Sequence, residues 1–152
     1  MPDPKRSSEV LSYLWDEYRK DSTRFYDIGP LCRQYHSDPV MVSNGMRLEG
    51  LIKDEVVAEG GQVCCSIAMK GIIFLDNQFV ERLIDRVLAG MGGVNSISNV
   101  MDILQLGSKD FQLAFDLANE MQNRDLVKLL YAFQPGNKVN VEMTLEGVRR
   151  KS

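Results

Sequence analysis

The chain nearly repeats itself, and that repetition is the tightest constraint on what it can fold into. Displaced by 75 positions, Asp27, Ile28 and Leu31 meet Asp102, Ile103 and Leu106. Asn44, Met46, Leu51 and Lys53 meet Asn119, Met121, Leu126 and Lys128. One extra residue at Lys138 restores the match, pairing Val63 with Val139 and Gly71 with Gly147. A 152-residue chain carrying one pattern twice, from Asp27 to Gly71 and from Asp102 to Gly147, is expected to form two small tandem domains rather than one larger one.

Hydrophobic periodicity supplies the elements. Residues 1–7 read as a disordered tail. Ser7 or Ser8 can cap a helix whose inner face is Val10, Leu11, Leu14, Trp15 and Tyr18, ending near Lys20. A second helix is expected from about Asp27, with Pro30 in its first turn, where a missing N–H costs nothing. Ser37-Asp38-Pro39 starts a third, which Gly50 ends. Leu51–Val57 and Val63–Met69, joined through Gly60-Gly61, predict a hairpin. The order then recurs. A helix is expected over 78–91 on Val80, Leu83, Ile84, Val87, Leu88 and Met91, a short one over Ile97–Leu106, and a third over Phe111–Asn123. Strands over Leu126–Phe133 and Val139–Met143 complete a second hairpin. The fold class is therefore α+β and mostly helical, with domains at 8–76 and 77–152 and the helix 78–91 as connector.

Three helices followed by a hairpin is the order of a winged helix-turn-helix domain. Met46-Arg47-Leu48-Glu49-Gly50-Leu51-Ile52 resembles that superfamily's usual exit from the third helix, and Ser66-Ile67-Ala68-Met69-Lys70-Gly71-Ile72 resembles its exit from the wing. Ala68 stands where threonine is usual; the second copy has Thr144 there. The resemblance implies two tandem winged-helix-like domains, each with three helices and a β-hairpin wing. It also implies double-stranded DNA as the ligand of the third helix, in a dimeric transcriptional regulator. On that reading Asn44 and Arg47 are the readers of base edges, with Lys53 and Lys138 as further DNA contacts.

Charge points the other way. Net charge is −3, and residues 1–76 carry nine Lys/Arg against twelve Asp/Glu, while 77–152 carry nine of each. Neither half has the basic excess of a phosphate-binding surface. The outer face of the third helix in the second copy holds Gln112, Asp116, Asn119, Glu120 and Asn123, with Phe111 and Phe115 widening its apolar arc. In the first copy Val40, Met41 and Leu48 are apolar where a groove-reading helix should be wet. These five apolar residues are candidate protein contacts. The alternative expectation is thus a tandem winged-helix protein-interaction or scaffold module without DNA binding.

No catalytic or metal constellation emerges. The single histidine, His36, has no recognisable nucleophile partner, and Cys32, Cys64 and Cys65 lack ligand spacing. No cofactor is expected. An odd cysteine count, no apolar signal core and no run near the ~20 apolar residues of a membrane helix predict a cytoplasmic chain with free thiols.

Overall fold

The computed structural model describes residues 4–58 and 60–152. The chain divides into two compact units, 1–76 and 77–152. The division falls where the helical path of Met69–Ala89 is broken at Asp76, whose backbone is extended (φ −152°, ψ 69°).

The first unit comprises α1 (Pro4–Lys20), β1 (Tyr26–Asp27), α2 (Gly29–Gln34), α3 (Pro39–Leu48), β2 (Ile52–Val57), β3 (Val63–Ile67) and the start of α4 (Met69–Ala89). The second takes the rest of α4, then β4 (Ile97–Asn99), α5 (Val100–Ile103), a 3-10 turn (Ser108–Asp110), α6 (Phe111–Asn123), β5 (Val127–Phe133), β6 (Lys138–Met143) and α7 (Leu145–Lys151). The architecture is α+β, with antiparallel three-stranded sheets ordered β1-β3-β2 and β4-β6-β5.

Local chemistry accounts for the boundaries. Asp38 accepts a hydrogen bond from Val40 N at 3.0 Å and Pro39 opens α3. Gly50, at φ 75°, ends it, and Leu51 N closes back on Met46 O. Asp125 does the same for α6 at φ 61°, a conformation aspartate tolerates, and Leu126 N closes on Met121 O. Val10, Leu11, Leu14, Trp15 and Tyr18 are all buried, as their spacing requires. In the second unit the core is built on Ile84, Val87, Met101, Leu117, Met121 and Val141.

Several expectations are corrected. Each sheet has a third strand: β1 and β4 are short runs pairing Tyr26 with Cys65 and Ser98 with Val141. Ile97–Asn99, expected as helix, is thus strand, and α5 is a single turn. Of the tail expected over 1–7, residues 4–7 are helical and 1–3 lie outside the described residues, as does Glu59 of the first hairpin's turn. Helix begins at Met69, not 78, and Thr144 caps a further helix, accepting from Gly147 N at 3.1 Å.

The repeat is also re-registered. Asp27 accepts from Gly29 N at 2.8 Å, and it is Asn99 that does the equivalent for Met101 N at 3.1 Å. Asp27 therefore corresponds to Asn99, and the sequence match to Asp102 is three residues out of place. From the third helix onward the match holds. Ala68 N and Thr144 N donate to Leu51 O and Leu126 O, and Gly71 and Gly147 lie against those same carbonyls.

Candidate functional site

The surface of α3 is where the sequence places its functional residues. Asp38 and Gly50 set the two ends of this helix, and Val42, Ser43 and Met46 turn inward and are buried. That leaves Met41 and Leu48 largely in solvent, at 63% and 78% exposure, while Val40 and Asn44 are half-buried. Arg47 is exposed, yet engaged: its Nη2 lies 3.5 Å from Asn44 Oδ1 and its Nε lies 3.9 Å from Glu55 Oε1.

Glu55 was not legible as a partner. In regular β2 geometry residues alternate faces, but the register with β3 shifts between Lys53 and Val56, and Asp54 adopts φ 57°. The bulge aims Glu55 back toward α3. Its side chain is largely buried, and its Oε2 has no hydrogen-bond partner among the described residues. Asn44, Arg47 and Glu55 are thus brought together. Lys53 is directed elsewhere, with Nζ 5.8 Å from the Tyr18 ring centre. Lys138 belongs to the second unit, exposed at the start of β6.

The corresponding helix of the second unit, α6, is more deeply set. Phe111, Leu113, Ala114, Leu117, Ala118 and Met121 are buried. Phe111 stacks with half-buried Phe115, ring centres 6.5 Å apart and planes within 4°. Outward, Gln112 donates to Asp116 at 2.8 Å, and Arg124 binds Glu120 at 2.8 Å and Glu81 at 2.5 Å. Glu81 also receives Arg150 at 2.5 Å, and Arg150 reaches Asp85 at 3.1 Å. Lys151 donates to Met91 O. The basic run 149–151 lies in α7, with the side chains of Arg150 and Lys151 tied to α4 and to Met91 just beyond it.

Hydrogen bonds from Arg124 and Arg150 hold the Glu81 carboxyl below the ordinary glutamate range. A carboxyl whose folded value is depressed adds stability above its unfolded value, about 4.3, and loses it as pH falls through the folded one. Glu81→Gln is accordingly expected to lower the melting temperature at pH 7 and to flatten its fall below pH ~4. An unchanged acid limb would remove Glu81 from that role.

Chemistry elsewhere is muted. Burial pushes the thiols of Cys32 to about 11 and Cys65 to about 12, and raises Cys64 as well, so none is a ready thiolate near neutral pH. Among the described residues no group of three His, Cys, Asp or Glu could hold a metal ion. No helix among them is long and apolar enough to cross a membrane. Comparison of the chain with protein-family models, with curated proteins and with solved structures gave no match.

Proposed function

We propose that the chain is a tandem winged-helix protein whose third-helix surface serves protein contacts rather than duplex DNA. The order helix, strand, helix, helix, strand, strand in both units supports that fold reading. The observation that carries the function is on α3. Its outward cation, Arg47, is shared with Asn44 and the Glu55 carboxylate, and it stands among solvent-facing Met41 and Leu48. A guanidinium already facing a carboxylate is poorly placed to neutralise phosphate or to grip a guanine edge. The two exposed apolar side chains suit a protein surface instead.

A mixed-sequence duplex titrated at ~50 mM salt is expected to show no binding, because no phosphate neutralisation drives it. Arg47→Ala is expected to lower the melting temperature, since it leaves Glu55 without its cation. Met41→Asp with Leu48→Asp is expected to leave that temperature unchanged. The second reading, a DNA-binding regulator, is favoured by the adjacency of Asn44 and Arg47 on one helix. It prevails if the duplex binds at low salt, binding weakens steeply by ~200 mM, and Arg47→Ala abolishes it without loss of stability.

A further inference from the structure

The outer face of the second sheet carries a pattern unrelated to α3. Along β6, Val139, Val141 and Met143 are buried, so Lys138, Asn140 and Glu142 share the opposite face. On β5, Lys128 stands opposite Glu142, Tyr131 opposite Asn140 and Phe133 opposite Lys138; on β4, Ile97 stands opposite Glu142. Ile97, Tyr131 and Phe133 are 58%, 49% and 59% exposed. Asn140 Nδ2 donates to Tyr131 Oη at 2.7 Å and so fixes the ring.

The charges on this face complement themselves. Lys138 and Glu142 lie two residues either side of Asn140. A two-fold axis crossing the strands at Asn140 lays the face on a second copy with its strands reversed. Lys138 then meets Glu142 of the second copy, and Glu142 meets its Lys138. Tyr131 meets Tyr131, and Phe133 meets the stem and ammonium of Lys128. We propose that this face is a homodimerisation surface, the two sheets packing face to face about 10 Å apart, within reach of a lysine and a glutamate. The first sheet cannot do the same, because Gln62, Cys64 and Ser66 stand where Lys138, Asn140 and Glu142 stand in the second.

Size sets the expected strength. Strands rising about 3.3 Å per residue and spaced about 4.8 Å apart give this face roughly 300 Å² in plan. A stable complex buries about 800 Å² per partner. The dimer is therefore weak and reversible.

Sedimentation of the full chain from ~5 µM to ~1 mM tests it. A monomer–dimer equilibrium is expected, weakened at least about tenfold by Tyr131→Asp with Phe133→Asp, and by Lys138→Glu or Glu142→Lys alone. Combining Lys138→Glu with Glu142→Lys is expected to associate more tightly than either single change, because the two-fold re-pairs the exchanged charges, but to fall short of the original chain, because a lysine at position 142 stands opposite Lys128 on its own sheet. Melting temperatures confirm that each variant is folded, and the charge series tests the proposal even if the aromatic pair perturbs β5. A monomer at every concentration overturns it. So does a double exchange no better than its single changes, or a dimer that Met41→Asp with Leu48→Asp abolishes instead.

Discussion

Gly147→Ala is expected to lower the melting temperature by roughly 15–25 °C. A β-carbon at residue 147 would sit 2.2 Å from Leu126 O and 2.5 Å from Met143 Sδ. The sulfur can move, but the carbonyl cannot. It lies on main chain that enters β5 and accepts from Thr144 N at 3.3 Å and Thr144 Oγ1 at 2.8 Å. Relieving the clash means backing α7 away and giving up those bonds, a combined cost of about 3–4 kcal/mol. In a unit of this size each kcal/mol shifts the midpoint by roughly 4–8 °C. Gly71→Ala is the same experiment in the first unit, with Leu51 O at 2.4 Å and Ile67 Cγ1 at 2.8 Å. The sole tryptophan, Trp15, is buried in that unit, so its fluorescence reports the loss directly. Gly93→Ala, where nothing lies within 4 Å, is the control. If the three variants melt within about 3 °C of one another, the close approach of helix to carbonyl is not what requires glycine at 71 and 147.

Leu117→Ala is expected to cost about 3 kcal/mol, within the ~2–5 kcal/mol of a buried leucine that leaves a cavity. Leu117 is fully buried on α6, between Ala114 and Met121, which are equally inaccessible. Phe115→Ala on the same helix is expected to cost less, about 1–2 kcal/mol, because that ring is partly in solvent and leaves no enclosed cavity; it loses part of its buried area and its stack on Phe111. Urea midpoints for the two variants measure the contrast. Equal costs would mean that α6 does not present Leu117 to a close-packed interior.

The third helices were the most legible elements. Phe111–Asn123 appears with the bounds its periodicity predicts, and Pro39–Leu48 begins at its cap and proline and stops two residues short of Gly50. A cap, a proline and a left-handed stop act within a few residues, so they can be read in the chain. The strands β1 and β4 could not. Tyr26-Asp27 and Ile97-Ser98-Asn99 have no alternation long enough to signal a strand, and they are strands because β3 and β6 offer an open edge. The α4 break at Asp76 is likewise invisible in the apolar spacing either side of it.

The α3 surface divides the same way. Sequence alone placed Asn44, Arg47, Met41 and Leu48 on the outer side of one helix, because 3.6 residues per turn allows little else. It also determined, through Gly71 and Gly147, that two similar units would recur. What Arg47 faces is set by tertiary packing. A bulge in β2 turns Glu55 back onto it, and a bulge is set by strand pairing, not by local preference. The ion-pair chain through Glu81, Arg124 and Arg150 is of the same kind, since it joins residues 43 and 69 positions apart. Periodicity sorts residues by face, whereas the partner across a face is chosen by the packing of segments that are distant in sequence.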